Sequence, residues 1–158
     1  MNMEPKIEEL PQILCVGVPY YGDNKNGEIP ATWPLLNSLS DQVRNKKQPC
    51  IHLGVETYTA EFEAHRRWFY LAAVEVTTLD EIPVQLVGKI LPANRYAIFT
   101  HKGKLPGRIM ETFGYIYGEW LPGSGYKQAG PYDFERYDAR FKGADNDESV
   151  IDICVPIQ

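Results

Sequence analysis

The sequence predicts an α+β fold of two strand-helix-strand-strand modules related by a pseudo-twofold axis. Three observations predict it. Each half carries several short runs rich in β-branched and aromatic residues, bounded by Gly, Pro, Asn and Asp. Each half also carries one stretch with apolar residues at helical spacing. The order of these elements then recurs with an offset of roughly 80 residues, although the two halves share little identity. This reads as a single domain over residues 1–158, with modules at about 10–80 and 94–157. Joined edge to edge, the modules form a curved antiparallel sheet. Both helices are expected on one face of it, with the other, concave face left for a ligand cleft or to be filled by side chains.

In the first module, residues 13–21 form a strand run closed by the loop 22–27. A helix follows, with Thr32 as its N-cap, Pro34 in its first turn, and Leu35, Leu36, Leu39 and Val43 at helical spacing. Strands are expected over 51–58 and 68–77, with the charged stretch 59–67 as their hairpin connection. The extended run 84–91 leads into Pro92. In the second module, 95–101 is a strand. Ile109, Phe113, Ile116, Tyr117 and Trp120 mark one face of a helix ended by Pro122 and Gly123. Strands at 134–141 and 150–157 complete it, joined by an acidic loop over 143–148.

Composition excludes several function classes. A net charge of −5 and a pI near 5.2 leave no excess of basic residues to displace the counterions of a nucleic acid, so no direct nucleic-acid binding is expected. The residues before Ile13 are too few for a helix-turn-helix, which needs on the order of 20 residues for its helices, so a complete DNA-binding regulator is not expected. No apolar run approaches membrane-spanning length and the first ten residues do not resemble a signal peptide, which predicts a cytoplasmic protein without membrane contact. Cys15, Cys50 and Cys154 show no paired metal spacing, and neither do His52, His65 and His101. No metal and no cofactor are expected, and the patterns of a serine nucleophile elbow or a phosphate-binding loop are lacking.

The most informative segment is Tyr132-Asp133-Phe134-Glu135-Arg136-Tyr137-Asp138. On a strand, alternation puts Asp133, Glu135 and Tyr137 on one face and Phe134 and Arg136 on the other. Glu135 is then the candidate inward carboxylate, able to hold a cation or act as a general base, and burial would raise its pKa. Glu56 is its counterpart in the first half. Asp133 and Asp138 read as turn or surface residues. Trp68 and Tyr70 share a strand face, and buried phenols at Tyr70 and Tyr137 need a hydrogen-bond partner that a central carboxylate supplies. Tyr20, Trp33, Tyr117 and Trp120 lie at element ends or on helix faces that reach the same cleft, with Trp33 and Trp120 also placed to serve as core.

The runs Tyr96-Ala97-Ile98-Phe99-Thr100-His101-Lys102-Gly103, Ile116-Tyr117-Gly118-Glu119-Trp120-Leu121-Pro122-Gly123, Asp133-Phe134-Glu135-Arg136-Tyr137 and Ile151-Asp152-Ile153-Cys154-Val155-Pro156-Ile157 together resemble the GyrI-like small-molecule-binding superfamily. So do Leu53-Gly54-Val55 and Phe69-Tyr70-Leu71-Ala72-Ala73-Val74 in the first half. That superfamily includes effector-binding domains of AraC- and MerR-type multidrug regulators and standalone gyrase-inhibitory proteins. The resemblance implies a pseudo-twofold fold with a ligand cleft, in which Glu135 meets lipophilic cations among aromatic rings. It departs at Ala73, which is expected to narrow the space beside the cleft. Three functions follow from it. The first is a binding module for hydrophobic, cationic small molecules. The second is a hydrolase of cyclopropane-bearing compounds, with Glu135 as general base and Tyr70 or Tyr137 as positioning phenol. The third is a protein-interaction module with DNA gyrase as partner.

Overall fold

The computed structural model describes residues 3–158. Its strands are β1 (Lys6–Leu10), β2 (Ile13–Gly22), β3 (His52–Thr57), β4 (Trp68–Val76), β5 (Val87–Leu91), β6 (Asn94–Lys102), β7 (Tyr132–Tyr137) and β8 (Val150–Ile157). Its helices are α1 (Glu28–Leu39), α2 (Ala60–His65), α3 (Gly107–Tyr115) and α4 (Leu121–Ser124), with α3 running into α4 through a π-helical stretch, Ile116–Trp120. Among the described residues no helix is long and apolar enough to cross a membrane.

All eight strands form one antiparallel sheet in the order β1-β6-β8-β7-β3-β4-β2-β5. The predicted modules are both there, as β2-α1-β3-β4 and β6-α3-β7-β8, meeting at the β3–β7 pair. Their registers agree under a single shift. Moving from Gly17 to Ile98 is a shift of 81 residues, and the same shift carries the pairs Gly17↔Ala73 and Leu53↔Ala73 onto Ile98↔Cys154 and Phe134↔Cys154. The internal symmetry is thus in the hydrogen-bond ladder itself.

The two ends of the sheet are tied together. β5 is the last strand at one end and β6 is second from the other, yet only Pro92 and Ala93 separate them. Such a link spans about 10 Å at most, so the sheet must curl. Its inner face becomes a core of its own, in which Cys15, Leu53, Leu71, Tyr96, Phe134 and Cys154 pack together from six strands. The outer face carries the helices. Leu36 of α1 packs on Val18, Ala72 and Val74, while Ile109 of α3 and Ile116 pack on Phe99 and Ile153. Both helices therefore lie on one face, either side of the β3–β7 junction.

The cleft expected on the concave face is displaced by this curl. That face is filled by apolar side chains, and the carboxylates and phenols lie on the helix face, in the strip between α1 and α3. Ala73 belongs to the inner core, paired with Gly17 and Leu53, and does not border that strip; Ala72 does.

Local differences have local causes. α1 begins at Glu28, one turn before Thr32, because the preceding loop supplies the caps. Asn24 accepts a bond from the Ile29 amide at 2.9 Å, Glu28 accepts one from the Asn26 amide at 2.9 Å, and Gly27 takes the left-handed backbone (φ 75°) that lets the chain enter the helix. Thr32 is buried, its hydroxyl donating to the Ile29 carbonyl. Residues 59–67 are not a plain connection. Thr59 caps α2 by accepting from the Glu61 amide at 3.2 Å. The last helical segment ends at Gly125, in the left-handed region at φ 81°, rather than at Gly123.

If the inner face is the main core, removing a large ring from it must be costly. Phe134 is fully buried, edge-on to Tyr96, and Phe134→Ala should lose about 3–5 kcal/mol in urea unfolding. A loss below about 1 kcal/mol would show that this face does not carry the fold.

Candidate ligand-binding site

The 81-residue shift carries Gly54 onto Glu135, and these two residues are also direct partners in the β3–β7 ladder. The pseudo-twofold axis thus passes between them. Two side chains cannot share that point. A Cβ on Gly54 would stand 2.7 Å from Glu135 Oε1 and closer still to the Tyr70 hydroxyl. One module contributes a carboxylate, and the other contributes the space it occupies.

Glu135 is only 7% exposed. Its Oε1 accepts from the Tyr70 hydroxyl at 3.3 Å and its Oε2 from the Tyr137 hydroxyl at 3.1 Å. Trp33, reaching down from α1, lies edge-on to Tyr137, Tyr70 and His52, with ring centroids 5.3, 6.4 and 6.2 Å away. The carboxylate is therefore walled by two phenols and roofed by an indole.

A second acidic group lies one step along the strip. Asp133, two residues before Glu135 on the same face of β7, is fully buried. Its Oδ2 accepts from Tyr117 at 2.5 Å and from Tyr58 at 3.0 Å, while its Oδ1 is buried with no partner. Glu56 faces it across the β3–β7 pair and accepts from the same Tyr58 hydroxyl at 3.1 Å. Gln128 donates to the Tyr117 hydroxyl at 3.4 Å. At this end α2 forms the cover, with Phe62 edge-on between Tyr58 and Trp68, and the buried Trp68 indole N–H is turned toward Glu56.

Among the described residues no ion pair reaches Glu56, Asp133 or Glu135; every Lys and Arg bridge lies elsewhere. Three carboxyl groups without a counter-charge cannot all ionise. Burial pushes Glu135 up to about 7; the Tyr137 bond opposes this, and the charge of Asp133 adds to it. Burial likewise pushes Asp133 up to about 7 against the bonds from Tyr117 and Tyr58. Glu56 is raised well above the usual range by burial and then by Asp133 and Glu135. The phenols of Tyr58, Tyr70, Tyr117 and Tyr137 are all pushed up, burial first, so they remain neutral donors.

The sequence candidates fall into three groups. Glu135, Tyr70, Tyr137 and Trp33 form one cluster, and Glu56, Trp68 and Tyr117 lie at the adjoining Asp133 end. Tyr20 sits beside Tyr70 across the β2–β4 pair, where its hydroxyl accepts from the Asn24 amide at 3.0 Å and holds the loop before α1. Trp120 turns away onto Phe99 and stacks on Tyr126. Asp133 is not a turn or surface residue: β7 begins at Tyr132, which puts Asp133 inside the ladder on the face of Glu135. Alternation along β7 already carried that signal. Tyr58 and Gly54 were not singled out as site residues, because their roles depend on the β3–β7 register.

With this geometry in view, comparison with known proteins decides the family. The model described as Cass2, integron-associated effector binding protein, matches residues 6–157. The chain belongs to this family. It is thus a GyrI-like effector-binding domain, as the sequence resemblance implied. It is 33% identical over 156 residues to the transcriptional regulator BrlR of Pseudomonas aeruginosa; the match takes in 99% of this chain but 56% of BrlR, so the chain spans about half that relative's length. Two solved structures share the fold at low identity. SAV2435 bound to tetraphenylphosphonium has a TM-score of 0.77 at 15% identity, covering 99% of this chain and 94% of the other. The C-terminal domain of EcmrR has a TM-score of 0.77 at 15% identity, covering 100% and 99%.

The raised carboxyl groups couple stability to pH with a definite sign. Between the ordinary carboxylate range near 4 and about 7 the folded chain holds protons that the unfolded chain has lost. Their contribution is complete below that window and is lost as pH rises through about 7. The urea midpoint should therefore be lower at about pH 8 than at about pH 5, and Glu135→Gln should shrink the difference. An unchanged difference in that variant would show that Glu135 is not its source.

Proposed function

We propose that the chain binds lipophilic cations in the strip between α1 and α3, with Glu135 as their counter-charge. The observation that carries this reading is a buried carboxylate on the symmetry axis, held by two phenols and covered by Trp33, with no basic residue paired to it among the described residues. Aromatic faces attract cations, and removal from water strengthens the attraction to the carboxylate. Tyr70 and Tyr137 orient Glu135 and stabilise its anion without ionising themselves. Trp33 occupies the ground above them, so a ligand enters by displacing the indole and stacking in its place. The solved relative SAV2435 holds tetraphenylphosphonium, a cation of the class expected here. The sequence relative BrlR is a transcriptional regulator, which suits a sensing use for such binding.

Charge should be what binds. Glu135→Gln keeps the shape and the acceptor for one phenol, and it should weaken tetraphenylphosphonium at least tenfold, about 1.4 kcal/mol, in Trp fluorescence titrations. Neutral triphenylphosphine oxide should change less than about twofold. Equal losses for both compounds would sink the charge-based reading. A cation also displaces the proton that Glu135 holds when free. Its Kd should fall as pH rises from about 5 to 7, by up to tenfold per unit for one proton, and flatten above. A pH-independent Kd would mean that Glu135 is already ionised in the free protein.

A further inference from the structure

Glu135 accounts for one end of the strip and leaves the Asp133 end unused. The two ends are built alike. Glu135 accepts from two phenols, Tyr70 and Tyr137, and Asp133 accepts from two others, Tyr58 and Tyr117. Each end has an aromatic cover, Trp33 over the first and Phe62 with Trp68 at the second. Only the second end carries an orphaned group: Asp133 Oδ1 is a buried acceptor without a donor among the described residues. The Trp68 indole N–H is turned toward Glu56 there and favours its ionised form. An unsatisfied buried polar group costs about 1–3 kcal/mol, so Asp133 Oδ1 stands ready for a donor. The single Tyr58 proton is shared between Glu56 and Asp133 Oδ2, and neither it nor the Trp68 indole reaches Asp133 Oδ1.

We propose that Asp133 and Glu56 form a second cation subsite for a protonated amine or amidinium, so that the strip prefers elongated ligands with two positive centres. This rests on the reading of Glu135 as the first cation site. The chemistry of the two ends differs. Glu135 has both oxygens occupied by phenols under an indole, which suits a diffuse, aromatic or quaternary cation. Asp133 offers a free oxygen, which suits a cation with N–H donors. Asp133 and Glu135 are two residues apart on one face of a strand, so the two positive centres should be roughly 7 Å apart. Binding such a ligand would release protons from both ends rather than one.

Isothermal titration calorimetry with para-xylylenediamine and para-methylbenzylamine tests this. The compounds have nearly the same shape and aromatic area, but the first carries two ammonium groups and the second one. Tetraphenylphosphonium serves as a single-charge reference. The diamine should bind at least tenfold more tightly than the monoamine. Titrations in phosphate and in Tris should show it releasing about one more proton. Asp133→Asn keeps the acceptor for Tyr58 and Tyr117 and should cut the preference to less than threefold. Should that variant lose its native circular dichroism, Glu56→Gln reads the same end. If tetraphenylphosphonium binds but the diamine has no advantage, the second subsite is overturned and the Glu135 reading stands. A preference that survives both Asp133→Asn and Glu56→Gln also overturns it. Absence of binding by all three compounds would remove the Glu135 reading and this one with it.

Discussion

Glu135 stands where two equivalent modules meet, and a pair of equivalent side chains cannot occupy that point. The conflict is resolved by asymmetry, with a carboxylate from β7 set against a bare glycine, Gly54, from β3. Much else in the strip follows from that choice. Tyr70 reaches over Gly54 to meet Glu135, and Tyr137 closes from the other side. Trp33 covers the cluster from α1. The carboxylate is thereby removed from water without being given a cation, a costly arrangement in a protein that binds nothing.

The curled sheet makes this arrangement tolerable. By closing on its own inner face, it gains an apolar core that owes nothing to the helices. The helix face is then free to carry polar groups along the strip between α1 and α3, flanked by smaller apolar clusters on each side. The apolar core and the strip proposed for binding are placed on opposite faces of the same strands. Alternate residues of β7 show the division directly: Phe134 packs inward with Tyr96, while Asp133 and Glu135 face the strip. A substitution on one face can therefore change binding without emptying the core.

Local order was legible in the sequence because it rests on local rules. Turn residues marked most strand ends, though β7 stops at Tyr137 short of residue 141; apolar spacing marked both helices, though α1 stops at Leu39 short of Val43; and alternation put Asp133, Glu135 and Tyr137 on one face. The recurrence of elements gave the two modules, which the ladder shows as a uniform shift. What the sequence hid is non-local. Which sheet face holds the helices and which is sealed depends on the short link between β5 and β6, which draws the two ends of the sheet together. The role of Gly54 depends on its being opposite Glu135, and that of Tyr58 on its reaching Asp133 from the next strand. The start of α1 depended on Asn24 and Glu28 capping a turn ahead of Thr32. Asp133 was within reach of alternation, although by residue type it read as a turn or surface position.

The central claim is that Glu135 is buried without a counter-charge and takes a cation as its partner. It is tested most directly by NMR titration of the side-chain carboxyl carbons in protein labelled with 13C at Asp and Glu. The Glu135 signal, assigned through Glu135→Gln, should move between protonated and ionised positions near pH 7 in the free protein. With tetraphenylphosphonium bound it should remain at the ionised position to at least about one pH unit lower. A Glu135 carboxyl already ionised at about pH 5, with no response to the cation, would contradict the account.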